Sequence, residues 1–390
     1  MIVIFLNFFA FSTHLMILST FPFFVNYLGY SESISGICSA LFSFTAVIIR
    51  PFIGWVMDNG RRKLILMIGV VSMAILPMGY LLVYTIFASI ALTVLLRILH
   101  GAAFACANTA AATVATDVVP KSRFSEGLGM FGLSTALATA CAPAFGEALM
   151  NLGFITLYVA ATVLMAIGFV MFLCMNPSTV KVEKKPLRIR ELINSDALPA
   201  SAVALFFIMT YGSQESYILK FATTVDDVTF SGGTYFLVMA IFLFLTRFSV
   251  GKIADEYGEA PFVYSCCPLM TVALLILAFI PGNAAFLIAA ACSGASFGCM
   301  EPALQAMAVS ISTPARRGSA NSTFLCAYDI GMGLGAGFAG VLIDLIGYRH
   351  MYIVLSMTSL VALAVYLIFG RHHPSSITWA RKQARTQADN

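Results

Sequence analysis

Two short stretches of the sequence follow one pattern at about half the chain length apart. Residues 50–58 read RPFIGWVMD, and residues 247–255 read RFSVGKIAD. Both carry Arg, Gly and Asp in the spacing R-x3-G-x3-D, and the offset between them is 197 residues in a chain of 390. Other landmarks repeat at an offset of 194, such as Gly146 with Gly340. The chain is therefore predicted to consist of two halves with the same internal plan.

The composition around these stretches is that of a membrane protein. Hydrophobic residues make up 60% of the chain and charged residues 10%, whereas soluble domains contain about 25% charged residues. A spanning helix needs about 20 mostly apolar residues, and barrel strands would be shorter and alternating. We therefore predict an all-α membrane protein with twelve transmembrane helices in two six-helix bundles. The apolar runs lie at 2–27, 34–57, 64–84, 87–114, 126–149, 154–175, 197–220, 232–253, 262–281, 285–310, 319–343 and 350–369.

The polar segments between these runs indicate domain boundaries and orientation. The predicted parts are an N-terminal bundle at 1–175, a cytoplasmic linker at 176–196, a C-terminal bundle at 197–370 and a cytoplasmic tail at 371–390. Lys and Arg are concentrated in the loops of one side, so the positive-inside rule places that side and both termini in the cytoplasm. Because no Lys or Arg precedes Arg50, the first run is interpreted as a spanning helix with almost no leader, and not as a secretion signal.

No pattern in the sequence is typical of an enzyme or a metal site. The nine cysteines lie almost entirely in apolar runs and form no CxxC pair, so we interpret them as small membrane-core residues. We find no nucleotide-binding loop, metal-ligand cluster or Ser–His nucleophile pair. We therefore expect no enzymatic activity, no cofactor and no metal. The basic loops fit the inside-positive rule better than nucleic-acid binding, and we expect a monomer.

The loop after the second predicted helix resembles a family motif. Residues 54–63 read GWVMDNGRRK, and the major facilitator superfamily has G-x3-D-x2-G-R-[RK] at this place. Arg61 stands where the family has its second glycine, and Gly60 can supply the turn one position earlier. The second-half copy lacks the basic pair. The first-half matches are Gly54, Asp58, Arg62 and Lys63, and the second-half positions are Gly251, Asp255 and Gly258.

The resemblance implies that these loop residues latch the two halves of a transporter in one conformational state. We also expect helices to approach closely at Gly54 and Gly251. Arg50 and Arg247 are expected to pair with the aspartate of their own loops. Positive-inside anchoring alone would explain the basic residues, but it would not explain the repeated aspartate.

A second resemblance lies in the fourth predicted helix. Residues 97–101 read RILHG, similar to the family's R-x-x-Q-G segment, with His100 at the Gln position. A charge as deep in a span as Arg97 costs at least about 2.5–3.5 kcal/mol, so we expect Arg97 to face a cavity or a partner. His100 either titrates near neutral pH or serves helix packing, and the residue itself does not decide between these roles.

Acidic and amide side chains in the other spans are candidates for the substrate or proton pathway. A carboxyl group that alternates between an apolar environment and a nearby cation can carry a proton across the membrane. Glu147 and Glu215 could alternatively reach the outer headgroups, and His14 is a further candidate in the first helix. The candidates in these spans are Glu147, Gln214, Glu215, Glu301 and Asp329.

The resemblance implies the major facilitator fold and a secondary transporter of a small molecule, with the lipid bilayer as its solvent and protons as the coupling ion. Pro143 and Gly146 retain part of an antiporter motif of the family. They favour efflux of a drug, sugar or metallophore by alternating access, as in bacterial efflux permeases of the cytoplasmic membrane. The alternative is nutrient uptake by proton symport. A membrane sensor or lipid flippase on the same fold is a third possibility.

Overall fold

The computed structural model describes residues 1–118, 124–175, 193–225, 228–312 and 317–379. These residues form α-helices joined by short turns, and the described ranges contain no β-strand. The first six helices are α1 (Ile2–Tyr27), α2 (Glu32–Asp58), α3 (Arg62–Leu82), α4 (Ile90–Val118), α5 (Phe124–Asn151) and α6 (Phe154–Leu173). The others are α7 (Leu198–Thr224), α8 (Gly232–Tyr257), α9 (Ala260–Phe279), α10 (Asn283–Val309) and α11 (Arg317–Val365).

The last helix, α11, contains two spanning segments. Gly347 has φ 79°, a non-helical conformation that breaks α11 at this point. In the described part of the chain, ten helices are long and apolar enough to cross a membrane, and the last of these extends over 52 residues at Ser319–Gly370. At about 1.5 Å per residue, that length suffices for two crossings of a hydrocarbon core about 30 Å thick. With the shorter apolar Gly232–Arg247, the predicted twelve spans are confirmed.

The boundary between α3 and α4 differs from the predicted one. The apolar run at 87–114 led us to begin the fourth span at residue 87. Instead, α3 continues through a π-helical turn at Val83–Phe87, and Ala88 then adopts a left-handed φ of 44°. Apolarity does not distinguish the end of one helix from the start of the next, so the break at Ala88 was not predictable from hydropathy.

The chain divides into two compact units. One contains α1 to α6 together with Ser216–Lys220, and the other contains the rest of α7 and the helices that follow it. Residues 176–192 lie outside the described residues, so the exact bounds of the predicted linker stay a prediction.

Each unit repeats the same packing scheme. In the first, α1 packs against α5, α2 against α4, and α3 against α6. In the second, α8 packs against α10, and α9 packs against α11. The backbone of Gly335 also lies against the carbonyl of Met209, which joins α7 to the first segment of α11. The hydroxyls of Thr271 and Ser359, which are 2.6 Å apart, join α9 to the second segment of α11. This correspondence agrees with the internal sequence repeat.

The outward faces of the helices are apolar. Large hydrophobic side chains are more than half exposed on several of them, including Ile48, Phe145, Val170 and Leu345. A water-soluble protein would not expose so much apolar surface. The faces suit hydrocarbon, and the structure is that of a multi-pass membrane protein.

A buried carboxylate at the start of α9 holds the segment that follows α11. Glu259 is 1% exposed, and its Oε1 accepts hydrogen bonds from the hydroxyls of Tyr366 (2.9 Å) and Ser376 (2.5 Å). Its Oε2 accepts from the backbone N–H groups of Ile377 (3.0 Å) and Thr378 (3.3 Å). The offset of 197 residues places Glu259 where the first half has a basic residue, Arg62. This loop of the second half therefore contacts the C-terminal segment.

We expect the Glu259→Gln variant to release this segment. The amide offers one acceptor, and its NH2 group would face backbone N–H donors. Losing charge-assisted hydrogen bonds of this kind costs about 1.5–3 kcal/mol, which corresponds to an opening about 10–100 times more frequent. Limited trypsin digestion should therefore cleave after Arg371 at least about tenfold faster in the variant, as followed by intact-mass spectrometry.

Glu256→Gln is the matched control, because Glu256 lies three residues earlier, in the last turn of α8, and is exposed. Its cleavage rate should equal that of the wild-type protein. Equal rates in all three proteins would show that Glu259 does not hold the segment.

Candidate functional site

Arg97 is the most deeply buried charge in the first unit. It lies in α4 with 0% of its surface exposed, and its Cζ atom is 3.4 Å from the centroid of the Phe21 ring and 5.8 Å from that of Tyr80. No acceptor among the described residues is in hydrogen-bond range of its three nitrogen atoms. A desolvated cation–π contact contributes about 2 kcal/mol, whereas burying an ion costs several kcal/mol. The aromatic rings therefore compensate only part of the cost.

Two histidines complete this cluster. His100 follows Arg97 by three residues on α4 and is fully buried, and His14 of α1 is 6% exposed. Their ring centroids are 6.2 Å apart in an edge-to-face arrangement. His14 stacks on Phe42 at 4.4 Å and also lies 4.4 Å from the ring of Phe104. His14 Nδ1 and His100 Nε2 have no hydrogen-bond partner among the described residues. The sequence-predicted Arg97 and His100 thus lie together with His14.

A close contact between α2 and α4 positions these rings. A Cβ atom at Gly101 would lie 2.2 Å from the backbone oxygen of Phe42, so only glycine allows the two helices to approach this closely. His100 and Arg97 lie just before this contact on α4, and Phe42 contributes the ring on which His14 stacks. The close approach therefore determines the geometry of the cluster.

Glu147 is a separate acid of the first unit. It lies in α5 and is 5% exposed. Its neighbour Gly146 lies against the backbone of Met16 in α1, where a Cβ atom would be 2.9 Å from the Cα atom. The carboxyl is therefore buried and does not reach freely to the membrane surface.

Glu215 is a buried acid of the second unit. It lies in α7, is 2% exposed, and its Oε1 accepts a hydrogen bond of 3.4 Å from the hydroxyl of Tyr211. Its Oε2 has no partner in the described part of the chain. The Tyr211 ring stacks on Phe297 with centroids 4.1 Å apart, which holds the phenol in place. Among the described residues, this carboxyl therefore has one polar contact and no cationic partner.

The Gln214 amide is held in a hydrogen-bond network between helices of the second unit. Its Oε1 accepts a hydrogen bond of 2.5 Å from Tyr235, and its Nε2 donates to the carbonyl of Thr210 at 3.1 Å. The Tyr235 hydroxyl is also 3.1 Å from that of Ser293. Because both ends of the amide are satisfied within the bundle, this network links α7, α8 and α10.

Glu301 and Arg247 form an ion pair. The guanidinium of Arg247 in α8 donates to the carboxylate of Glu301 in α10. The predicted pairing of Arg247 with Asp255 stays a prediction, because the side chain of Asp255 lies outside the described residues, and the described partner of Arg247 is Glu301. Eight residues of helix separate Arg247 from Asp255, about 12 Å along the axis, whereas α10 packs directly on α8. Asp329 is half-buried in α11, in the same unit.

The predicted latch loop is only partly described. Gly60 has φ 87° between α2 and α3, so it does supply the turn that the family places one position later. Arg62 is half-buried and Lys63 is exposed.

No described atom lies within 4 Å of a Cβ atom at Gly54, so the close packing expected there is not found among the described residues. The side chains of Asp58 and Asp255 and the surroundings of Gly251 lie outside the described residues. Gly258 ends α8 with φ 78°.

No ligand set for a metal emerges from the described residues. No group of three or more His, Cys, Asp or Glu side chains is placed to hold an ion. The sequence did not indicate the contact of Arg97 with the rings of Phe21 and Tyr80. It also did not indicate the hydrogen bond from Tyr211 to Glu215. No local motif marks either of these, because the residues come from different helices or from a different helical turn.

Comparison with known proteins agrees with this architecture. The sequence profile of the Major Facilitator Superfamily matches residues 1–284 and 250–389. The chain is 21% identical over 354 residues to the staphylopine export protein of Staphylococcus aureus, covering 86% of this chain and 87% of the relative. It is 24% identical over 356 residues to the multidrug resistance protein MdtG of Escherichia coli, covering 87% and 86%.

Solved structures show the same fold at low sequence identity. A POT family transporter in complex with 5-aminolevulinic acid has a TM-score of 0.78 at 14% identity, covering 96% of both chains. The nucleoside transporter NupG has a TM-score of 0.73 at 15% identity, covering 94% of this chain and 97% of its own. These similarities concern the fold alone.

Proposed function

Because this chain belongs to the Major Facilitator Superfamily, we propose that it exports a small organic solute in exchange for protons by alternating access. The solute is of the drug, sugar or metallophore class. The relatives that support the direction are named for export and for multidrug resistance. The proposed setting is the bacterial cytoplasmic membrane, with both termini in the cytoplasm and the protein acting as a monomer.

The observation that carries proton coupling is the environment of Glu215. This carboxyl is 2% exposed, and Tyr211 is its hydrogen-bond partner. An isolated buried carboxylate is costly, so such a group takes up a proton when it is enclosed. It releases the proton to water when the site opens. In the proposed cycle the proton enters from outside, travels on Glu215 and leaves on the cytoplasmic side.

Glu301 and Asp329 remain further candidates for the substrate or proton pathway, after Glu215. Glu301 is paired with Arg247, so its carboxylate is already engaged in linking α10 to α8. Arg97, His100 and Glu147 of the first unit are candidates for contact with the solute, and Gln214 remains a candidate within the second unit. Alternating access would arise from movement of one six-helix half against the other, with the latch loop at Asp58, Arg62 and Lys63 stabilising one state.

The direction and the coupling can be tested with inside-out membrane vesicles that contain the protein. The vesicle lumen is acidified and its pH is followed with a fluorescent dye, while a panel of solutes is added outside. A solute exported by proton antiport enters the lumen and lets protons leave, so the expected result is a rise in fluorescence that vesicles without the protein do not show.

Nutrient uptake by proton symport predicts the opposite pattern. A symporter would discharge the pH gradient only when the solute is loaded into the lumen beforehand. That result would overturn the export proposal. A solute that equilibrates without any proton movement would overturn proton coupling.

A further inference from the structure

The guanidinium of Arg97 has donors and no acceptors. An arginine carries five N–H donors in a fixed plane, and a charged side chain that is fully buried is normally paired. Here Arg97 is 0% exposed, and none of its three nitrogen atoms has a hydrogen-bond partner among the described residues. The face of the group stacks on Phe21, which leaves the N–H groups at its edge as the unused part.

No acidic side chain among the described residues forms an ion pair with this cation. Besides His14 and His100, the ionisable groups that interact with Arg97 are the phenols of Tyr80 and Tyr158 and the thiol of Cys38. Phenols and thiols ordinarily ionise well above neutral pH. The described first unit therefore surrounds a positive charge with neutral groups, and a negative charge in the cluster would be stabilised.

The two imidazoles also have nitrogen atoms without a hydrogen-bond partner among the described residues. The hydroxyl of Tyr80 lies 3.5 Å from His100 Nδ1. If that nitrogen accepts, the proton of the neutral ring is on Nε2, which has no partner. His14 Nδ1 is also without a partner. Several unused ring and guanidinium nitrogens thus share one buried cluster with a single positive charge.

We propose that Arg97, His14 and His100 bind the carboxylate of an organic anion, and that this anion is the exported solute. The inference rests on the proposed function for the identification of the anion as the cargo. A carboxylate matches the edge of a guanidinium with two parallel hydrogen bonds. The rings of Phe21, Phe42 and Phe104 line the cluster, so they favour a solute with a flat apolar part next to its carboxylate.

The anion must enter in a conformation other than the one described. All three nitrogen-bearing side chains are at most 6% exposed, so the helices around them must separate to admit a solute. Alternating access supplies such a conformation. In the closed form, the stacking of Phe21 on Arg97 takes the place of part of the contact with the solute.

Binding can be measured on the purified full-length protein in detergent, with no gradient and no transport. The probes are benzoate and benzamide, which have nearly the same shape and differ in charge, at constant ionic strength. Benzoate is expected to raise the apparent melting temperature in a saturable manner, and benzamide is not. Arg97→Gln should weaken the apparent affinity for benzoate by about tenfold or more, because hydrogen bonds to charged groups are worth at least that factor.

Two further variants keep the experiment decisive. Arg61→Gln is the control for nonspecific anion binding, because Arg61 is an exposed arginine of the same unit, and it should retain the wild-type response. Should Arg97→Gln fail to fold, His100→Gln provides the same comparison, with an expected fall in affinity of about threefold to tenfold. Equal effects of benzoate and benzamide, no benzoate effect, or an unchanged response in the folded variant would each overturn the proposal.

The result of the benzoate binding experiment can be distinguished from the result of the vesicle transport assay. Anion binding that depends on Arg97, found together with symport in vesicles, would refute export and leave the anion site intact. Proton antiport of neutral or cationic solutes without benzoate binding would do the reverse.

Discussion

The Glu215→Gln variant is expected to lose proton-driven export while still exchanging solute across the membrane. Glutamine keeps the size of the side chain and can still accept the hydrogen bond from Tyr211, but it cannot carry a proton. One proton that moves down 100 mV supplies about 2.3 kcal/mol, which sustains a concentration ratio of about 50-fold. Without that coupling the sustained ratio should fall to about one, measured as solute accumulation in inside-out vesicles.

Solute exchange in the absence of any gradient provides the control for this variant. It should proceed at close to the wild-type rate, because the binding groups are unchanged. Asp329→Asn serves as the comparison among the other acids of the second unit, and it should retain a measurable proton response. If Asp329→Asn abolishes proton release while Glu215→Gln does not, the proton is carried by Asp329 and our assignment of Glu215 is wrong.

The helical architecture was predictable because hydrocarbon leaves the backbone few options. A run of about 20 apolar residues must satisfy its N–H and C=O groups internally, which makes it a helix. Run lengths therefore predicted the spans, and the repeated R-x3-G-x3-D pattern predicted two halves. The breaks at Ala88 and Gly347 depend on single backbone conformations, and hydropathy averaged over a window does not respond to them.

The candidate sites were predictable only as a set of residues. A charge within an apolar run is expensive wherever it lies, so Arg97 and Glu215 could be selected from the sequence. Whether each has a partner depends on which helix faces it. The structure pairs Glu301 with Arg247 and leaves the nitrogens of Arg97 without acceptors among the described residues. The spacing along one helix could not indicate either result.

The Gly101→Ala variant is expected to be strongly destabilised. Its new Cβ atom would lie 2.2 Å from the backbone oxygen of Phe42 and 3.0 Å from the carbonyl carbon. A backbone carbonyl cannot rotate away as a flexible side chain can, so α2 and α4 must move apart. Overpacking of this kind costs about 1–3 kcal/mol, and occasionally more. We expect a clear drop in the apparent melting temperature of the purified protein and a lower yield of folded protein.

Gly132→Ala is the matched control, because it makes the same substitution within a helix of the same unit. No described atom lies within 4 Å of a Cβ atom at Gly132, so that variant should melt at or slightly above the wild-type temperature, since alanine favours a helix over glycine. Moving α2 would also displace Phe42 from His14, so residual folded Gly101→Ala protein should bind benzoate more weakly. Equal melting temperatures for the two variants would show that α2 and α4 do not depend on this contact.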